Sequence, residues 1–333
     1  METVLPSLID KYNRHLNYLR ISITDRCNLR CLYCMPHNGL AKLRHEDILT
    51  YEEILRLATI AVNLGVNKIR LTGGEPLIRK GLFQLLSPLA ALSGLKDISM
   101  TTNGIYLKEN LDKIKSAGMK RINISLDTLH RERYREITGY DGFEKVWDGI
   151  RLAEKLGFNP IKINMVVMQG INDDEIVDFA RLSLDHPYHI RFIEYMPSGF
   201  ADQGIQLHHV PNSAVKEQII KLGKLVQVLN TEIDGPTDRF RLEGAPGEIG
   251  FISPLTHHFC QVCNRLRLTA SGHLRPCLLS DQEIDLKTPM RTGASDNDLV
   301  RIFLKAAENK PGAHTLVSEH CGSLSGQMSA IGG

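Results

Sequence analysis

The sequence predicts an α/β protein built on a partial, open (β/α)6 barrel of the TIM type, with a C-terminal extension that closes the open side. Short apolar or β-branched segments alternate with helical segments over the first two-thirds of the 333 residues. Unusual polar residues and cysteines follow directly after several of these segments. The alternation stops after Pro197, whereas a full eight-stranded barrel typically needs about 250 residues.

Six segments rich in β-branched or apolar residues are the predicted strands. They are 19–24, 68–72, 97–101, 121–125, 162–167 and 189–194. The segments between them with a 3.6-residue apolar period predict helices over 51–64, 81–92, 107–117, 143–156 and 173–184. Thr50 and Glu53 supply a capping box for the first helix, and Gly65 supplies a stop. Such alternation implies a parallel sheet with right-handed crossovers.

The last third of the chain has a different pattern. A helix is predicted over 212–222 and short strands over 239–242 and 249–252, followed by a second group of cysteines and a Gly- and Ser-rich end. We therefore expect two regions, 1–200 with the partial barrel and 201–333 with the extension that closes it.

Charge and hydropathy exclude several classes of protein. Lys and Arg number 40 against 38 Asp and Glu, a balance that argues against a general binder of nucleic acid or membrane surfaces. No apolar run approaches the roughly 20 residues of a membrane span. Residues 1–10 lack the basic-then-apolar pattern of a secretory signal. We expect a cytoplasmic protein with no membrane or nucleic-acid partner.

The cysteines are grouped, which in a reducing compartment indicates metal. Cys27, Cys31 and Cys34 follow the first predicted strand with spacing x3 and x2. Three thiolates on one loop can hold three irons of a 4Fe–4S cubane and leave the fourth iron open. A structural zinc site is the alternative, with His37 or His45 as the fourth ligand.

The second group, Cys260, Cys263 and Cys277, is also one thiolate short of a full set. Zinc is again the alternative, and its candidate fourth ligands are His257, His258, His273 and Cys321. Arg265 and Arg267 follow at once, and alternate arginines on an extended segment point to one side, where they can fork onto phosphate oxygens. A substrate that is both a metal ligand and a polyphosphate is indicated, and a purine nucleotide fits both demands.

Two further features belong to the same predicted edge of the sheet. Gly73-Gly74-Glu75-Pro76 ends the second strand; its glycines allow close approach of a ligand, although such a run can also be a plain strand-to-helix turn. Lys162 lies on a barrel strand, and burial of an unpaired ammonium costs several kcal/mol, so an inward Lys162 requires an anion.

Together these motifs resemble the radical S-adenosylmethionine (SAM) superfamily and, within it, the molybdenum-cofactor biosynthesis protein A family of GTP 3′,8-cyclases. The similarity spans nearly the whole chain. The segments that carry it are Arg20 with Asp25-Arg26-Cys27-Asn28-Leu29-Arg30-Cys31-x-Tyr33-Cys34-Met35-Pro36, Arg70-Leu71-Thr72-Gly73-Gly74-Glu75-Pro76, Cys260-x2-Cys263-Asn264-Arg265-Leu266-Arg267 and Met328-Ser329-Ala330-Ile331-Gly332-Gly333.

The resemblance implies roles for individual residues. It implies that the first cluster binds SAM and that the guanine of GTP is held at the open iron of the second cluster. The implied SAM contacts are Tyr33, Gly74, Ser125 and Met196. The implied GTP contacts are Arg20, Arg70, Thr101, Lys162, Arg265, Leu266 and Arg267. The terminal Gly332 and Gly333 are expected to reach into the active site and to be needed for catalysis.

Plainer interpretations stay open for several of these residues. Arg20 and Arg70 could pair with carboxylates such as Glu75 or Asp127. Met196 could be ordinary core, Ser125 a turn residue, and the final glycines a frayed terminus.

The resemblance implies a lyase that converts GTP to (8S)-3′,8-cyclo-7,8-dihydroguanosine 5′-triphosphate, the first step of molybdenum cofactor biosynthesis. It implies an external, flavodoxin-like one-electron reductant and, downstream, cyclic pyranopterin monophosphate synthase. Another radical SAM enzyme with an auxiliary cluster, such as a peptide-modifying one, and a non-catalytic iron–sulfur or zinc protein are the competing hypotheses. The sequence leaves open the role of Cys321 and the oligomeric state, a homodimer included.

Overall fold

The computed structural model describes residues 6–34, 41–196, 208–230, 235, 237–314 and 328–332. All six predicted strands are present in one sheet, with ends that differ from the predicted ends by at most two residues. They are β1 Tyr18–Ser22, β2 Lys68–Thr72, β3 Asp97–Thr102, β4 Ile122–Ser125, β5 Ile161–Val167 and β6 Tyr188–Glu194. Each strand pairs in parallel with the next one along the chain. The predicted parallel architecture is confirmed.

The last third of the chain extends this sheet at both edges. Its strands are β7 Leu225–Val228, β8 Asp238–Leu242, β9 Glu248–Ile252, β10 Arg265–Leu268, β11 His273–Arg275 and β12 Ile284–Asp285. β9 adds in parallel to β6, and β10 adds in parallel to β1. Antiparallel strands follow outside them, so the order is β12-β11-β10-β1-β2-β3-β4-β5-β6-β9-β8-β7.

The barrel is open, as predicted. Eight strands from β10 through β1–β6 to β9 run parallel, the number found in a closed barrel of this type. Within the described residues, however, β9 and β10 do not pair with each other. The second cysteine group begins in the connection between these two strands.

Seven of the described helices lie between strands along the chain, and three follow the last strand. They are α1 Tyr51–Asn63, α2 Leu82–Ala90, α3 Leu107–Ser116, α4 Arg131–Thr138, α5 Phe143–Lys155, α6 Ile176–Asp185, α7 Asn212–Ile219, α8 Lys287–Arg291, α9 Asp296–Glu308 and α10 Met328–Ile331. The capping box of Thr50 and Glu53 starts α1 as predicted. Within the described part of the chain, no helix has the length and apolar content needed to cross a membrane.

The alternation of side chains along each strand gives the two faces of the sheet different characters. Ile69 and Leu71 of β2 are fully buried in the hydrophobic core that includes Leu57 and Ala58 of α1, and full burial of such a side chain contributes about 1.5–3 kcal/mol. Arg70, between them, points to the opposite face. The core therefore lies outside the barrel, and the barrel interior is left to polar residues.

Candidate active site

One large cavity runs from the carboxyl ends of the parallel strands, where α/β sheets bind ligands, through the barrel to the amino end of β10. Its volume is about 300 Å³, at the lower end of the roughly 300–1,000 Å³ of a typical small-molecule site. The sequence-predicted residues that line it are Arg20, Cys27, Cys31, Tyr33, Cys34, Arg70, Gly74, Thr101, Ser125, Met196, Cys260, Cys263, Arg265, Arg267 and Cys277. Both cysteine groups therefore face the same space.

The first cysteine group occupies the loop that follows β1. The Cys34 amide donates to the Cys31 carbonyl at 2.9 Å, which closes a turn around Tyr33. Burial raises the pKa of Cys27, Cys31 and Cys34, and neighbouring thiols of the group raise it further for Cys31 and Cys34. The three sulfurs are thus close enough to act on one another electrostatically.

The Gly73-Gly74-Glu75-Pro76 turn lies directly against this loop. A Cβ on Gly74 would lie 2.2 Å from the carbonyl oxygen of Arg26, so no side chain fits there. The Glu75 amide donates to that same carbonyl at 2.8 Å. The turn after β2 is in this way fixed to the backbone of the cysteine loop.

The carboxylate of Glu75 joins this turn to the end of β3. It is fully buried and accepts hydrogen bonds from the Thr102 hydroxyl and the Asn103 amide at 2.7 Å each, and from the Leu77 amide at 3.0 Å. Burial raises the pKa of Glu75 to about 7, although these hydrogen bonds favour the ionised form and act in the opposite direction. Glu75 is therefore a structural link between two strand ends.

Tyr33 is held in place by a residue that the sequence did not identify as part of the site. Its hydroxyl donates to Asp127 at 2.7 Å, and the other Asp127 oxygen accepts from the Val166 amide at 2.8 Å. Burial raises the pKa of Asp127 to about 6. Asp127 stands two residues after Ser125, just beyond β4, and this position at a strand end was the signal that could have identified it.

Arginines from three adjacent strands form one side of the cavity. Arg20 of β1 lies between Arg70 of β2 and Arg267 of β10 in the strand register. Burial lowers the pKa of Arg20 to about 10 and that of Arg267 well below its usual value, and the neighbouring arginines lower both further. Mutual repulsion of this kind is relieved by a bound polyanion. Glu75 and Asp127, the proposed pairing partners, are occupied by the hydrogen bonds described above.

Two further residues at this arginine cluster were not predicted. Tyr18 of β1 is buried, with the Lys68 ammonium 4.5 Å from its ring centroid. Burial alone would raise the pKa of Tyr18, but Arg70, Arg20, Lys68 and Arg265 lower it to about 7. Tyr18 and Lys68 lie two residues before Arg20 and Arg70, hence on the same strand faces, and this period could have identified them.

Three of the predicted GTP contacts differ in how they reach the cavity. The Thr101 hydroxyl lines it, is buried and has no hydrogen-bond partner among the described residues. Lys162 lies on the same face of β5 as Asn164, which lines the cavity, but two residues deeper in the barrel. Leu266 is fully buried in the hydrophobic core on the opposite face of β10, so only its backbone is left to contact a ligand.

The second cysteine group lies at the amino end of the parallel strands, because Cys263 precedes β10 and Cys277 follows the antiparallel β11. Cys260 begins a short 3-10 helix after β9, Cys263 precedes β10, and Cys277 follows β11. The buried Arg14 holds the first of these positions, because its guanidinium donates to the carbonyl of Cys260 and, at 2.7 Å, to that of Pro311.

Lys310 fixes the backbone near Cys263 and Cys277. Its ammonium is buried and donates to the Arg265 carbonyl at 2.8 Å and to the Pro276 carbonyl at 2.6 Å. Burial alone would raise the pKa of Cys263, but Arg265 and Lys310 lower it to about 6. Positive charge therefore lies beside Cys263, whereas burial raises the pKa of Cys260.

The zinc alternative finds little support at either group. Four ligands of one zinc ion must lie within about 2.0–2.3 Å of one point, and within the described ranges no three His, Cys, Asp or Glu side chains are grouped to hold a single ion. His45 is exposed, and His273 bonds to Ser271 at 3.0 Å. His37 and Cys321 lie outside the described residues. A cubane places each thiolate on a different iron, so its sulfurs need not converge in this way.

The C-terminal segment enters the structure beside the arginine cluster. The Arg267 guanidinium donates to the carbonyl of Gly332, and Ile331 is buried. Gly332 has a φ of +80°, and a Cβ there would lie 2.1 Å from the Thr72 hydroxyl, which lines the cavity. Gly333 lies outside the described residues. The terminus is thus held at the cavity at least as far as Gly332.

Comparison with known proteins agrees with this arrangement. Residues 21–183 match the family model described as Radical SAM superfamily, and residues 188–316 match Molybdenum Cofactor Synthesis C. The GTP 3′,8-cyclase of Moorella thermoacetica is 50% identical over 97% of this chain and 99% of its own length. The GTP 3′,8-cyclase of Heliobacterium modesticaldum is 48% identical over 98% and 100%.

Solved structures share the fold at much lower identity. Streptococcus suis SuiB bound to S-adenosylmethionine superposes with a TM-score of 0.56 at 16% identity, over 83% of this chain and 64% of that one. SuiB bound to its precursor peptide SuiA gives 0.57 at 16% identity, over 92% and 68%. The chain thus spans about two-thirds of the length of these neighbours, and the likeness concerns the fold alone.

Proposed function

We infer that this chain, which belongs to the GTP 3′,8-cyclase family of the radical SAM superfamily, converts GTP to (8S)-3′,8-cyclo-7,8-dihydroguanosine 5′-triphosphate. The reaction is a lyase reaction and the first step of molybdenum cofactor biosynthesis. Its cofactors are two 4Fe–4S clusters and SAM. When bound, the first cluster and SAM would supply a 5′-deoxyadenosyl radical for removal of the ribose 3′ hydrogen, and formation of the C3′–C8 bond would then require one further electron and a proton to give the 7,8-dihydro product.

The observation that carries the proposal is that two incomplete cysteine groups and an arginine cluster line one cavity. Three thiolates in each group leave a cubane with one iron open to a ligand. With cubanes bound, the open iron at the first group would hold SAM and the open iron at the second group would hold the guanine. With both ligands bound in the same cavity, the reacting atoms are positioned, and positioning of this kind removes a large part of a barrier.

We propose that the residues at the first group bind and orient SAM. Cys27, Cys31 and Cys34 ligate the cluster. Gly74 exposes its backbone at a turn where no side chain fits, and Tyr33 is held rigidly through Asp127. Ser125 and Met196, at the ends of β4 and β6, complete the proposed SAM contacts.

On the opposite side, Cys260, Cys263 and Cys277 ligate the second cluster. Arg20, Arg70, Arg265 and Arg267 bind the triphosphate, whose charge offsets the repulsion between the buried guanidinium groups. Thr101 offers a buried hydroxyl without a partner in the described structure. Lys162 adds positive charge from deeper in the barrel, and Leu266 contributes through its backbone.

Gly332 and Gly333 form the third part of the proposed site. Gly332 already contacts Arg267 and packs against Thr72. The two glycines would fill the space beside the substrate that a side chain cannot enter. We propose that they orient GTP for hydrogen removal.

The remaining proposals concern organisation and partners. We propose that residues 1–200 carry the SAM cluster and that residues 201–333 carry the second cluster and the glycine tail. A flavodoxin-like protein would supply the electron, and cyclic pyranopterin monophosphate synthase would take the product. We place the protein in the cytoplasm, and we keep a homodimer as the proposed oligomer.

The test is anaerobic SAM cleavage with and without GTP. We expect reductive formation of 5′-deoxyadenosine that GTP stimulates, together with the cyclised nucleotide in equal amount. SAM cleavage that is unchanged by GTP but stimulated by a peptide would favour a peptide-modifying enzyme. Absence of cleavage in protein with intact clusters would contradict enzymatic function.

A further inference from the structure

Asn103 connects the SAM-binding turn to a cluster cysteine. It follows β3 and lines the cavity. Its side-chain Nδ2 lies 3.7 Å from the Sγ of Cys27 and donates to the Oδ1 of Asn28 at 2.9 Å. Among the described residues, the sulfur has one other close donor, the Leu29 amide at 3.4 Å.

The orientation of the Asn103 amide is fixed by its other contacts. Its Oδ1 accepts from the Ile105 amide at 3.1 Å, which forms an Asx turn. Its backbone amide donates to the buried Glu75 carboxylate at 2.7 Å. Because the oxygen is occupied by the turn, only the NH2 group can face the sulfur.

The Asn103 side chain donates this hydrogen bond in a part of the site that contains two carboxylates. The buried carboxylate of Glu75 accepts from the Asn103 amide, and the buried carboxylate of Asp127 accepts from the hydroxyl of Tyr33, which stands between Cys31 and Cys34 in the chain. An added electron is disfavoured in such surroundings. Hydrogen bonds to cluster sulfurs offset this effect, because they stabilise the more negative, reduced state.

We propose that Asn103 is a positioning residue for the first cluster, whose hydrogen bond to Cys27 raises the reduction potential of that cluster. The same residue fixes the Gly73–Pro76 turn through Glu75, so the SAM-binding backbone and the cluster share one anchor. The proposal rests on the proposed function, because it requires a cluster at Cys27, Cys31 and Cys34.

The test is a redox titration of the full-length holoenzyme, followed by electron paramagnetic resonance. Addition of SAM identifies the first cluster, because SAM perturbs only the signal of the cluster that binds it. In Asn103→Ser the hydroxyl can still accept from the Ile105 amide, but it is too short to reach the sulfur. We expect about a three- to tenfold lower ratio of reduced to oxidised first cluster at a fixed potential, a shift of up to about 59 mV for a one-electron couple.

Asn123→Ser is the matched control. Asn123 is buried on β4 and donates to the Met100 carbonyl at 2.9 Å, away from the cysteines. We expect this variant to leave the potential of the first cluster unchanged. A second variant, Asn103→Leu, loses both the donor and the turn and lowers the potential at least as much as Asn103→Ser.

The outcomes separate the two hypotheses. Equal potentials for the wild-type protein and Asn103→Ser would overturn the role of Asn103 while leaving the proposed function intact. A wild-type protein without a SAM-sensitive cluster would overturn the proposed function, and this inference with it.

Discussion

The two cysteine groups face the same cavity, but their surroundings carry opposite charge. Cys27, Cys31 and Cys34 lie near the carboxylates of Glu75 and Asp127, and burial together with these charges raises their pKa values. The second group lies among guanidinium and ammonium groups, and Arg265 and Lys310 lower the pKa of Cys263 to about 6 despite burial. Both groups consist of three cysteines, so the two sites differ in the charge of the residues around them.

This difference matches the two tasks that we propose for the groups. Negative surroundings and few donors make a cluster a stronger reductant, which suits the cluster that must reduce SAM. Positive surroundings suit a site that must hold a nucleotide triphosphate next to its cluster. At the second group, Arg265 both lowers the pKa of Cys263 and lines the cavity with Arg267.

The largest expected effect is on SAM cleavage, which should require the first cysteine group but not the second. Cys31→Ala is expected to abolish SAM cleavage, because it removes a ligand of the cluster that reduces SAM. Cys263→Ala is expected to retain cleavage of SAM but to lose its stimulation by GTP. Each variant is the control for the other, with 5′-deoxyadenosine and cyclised nucleotide as the readouts. Equal loss of cleavage in both variants would contradict the division of tasks.

The second effect concerns the glycine tail. Gly332→Ala places a Cβ against Thr72 at a positive φ and is expected to reduce product formation more than about 100-fold, because a displacement of only about 1 Å can cost that much. Gly157→Ala is the matched control, since Gly157 has a φ of +77° with nothing within 4 Å of its added Cβ. The control should lose about 1 kcal/mol of stability and no activity. A Gly332→Ala variant with normal product formation would refute the role of the tail.

The third effect tests the arginine cluster. Arg267→Ala removes charge-assisted hydrogen bonds and is expected to weaken GTP binding about 10- to 100-fold, at about 1.5–3 kcal/mol. Arg239→Ala, which breaks an ion pair with Glu248 at 2.9 Å on β8, is expected to leave GTP affinity unchanged. Binding of GTP is measured by calorimetry on holoenzyme. Unchanged affinity in Arg267→Ala would count against a phosphate site.

The smallest effect concerns the charge around Cys263. Lys310 stabilises the Cys263 thiolate, so Lys310→Met is expected to raise the pKa of Cys263 above about 6 and to lower the thiolate fraction at neutral pH. The pH dependence of alkylation, followed at this cysteine by mass spectrometry in cluster-free protein, reports the shift. Lys305→Met, at an exposed position of α9, is the control. An unchanged profile in Lys310→Met would show that Lys310 does not set the charge at this group.

Much of the fold could be predicted because its signals are local. The six parallel strands are short segments in which apolar residues alternate with polar ones, and the capping box of Thr50 and Glu53 marks the start of α1. α4 was missed because its sequence is mostly charged, with Tyr134, Ile137 and Thr138 as its buried residues. The addition of β9 and β10 to opposite edges of the sheet depends on tertiary packing, which local sequence patterns do not encode.

The candidate site was predictable to a similar degree. The motif residues at strand ends line the cavity, because parallel strands bring their carboxyl ends together. The roles of Asn103, Asp127 and Lys310 were not predicted, because they come from contacts with residues distant in sequence. The face on which Leu266 lies follows from strand alternation between Arg265 and Arg267, a signal that was present in the sequence.

The most direct test of the central claim is to count the clusters after anaerobic reconstitution. Iron and sulfide analysis with Mössbauer spectroscopy is expected to give about eight irons and eight sulfides per chain as two cubanes. SAM should perturb one iron site of the first cluster, and GTP one iron site of the second. A single cluster per chain, or zinc in place of iron at either cysteine group, would contradict the account.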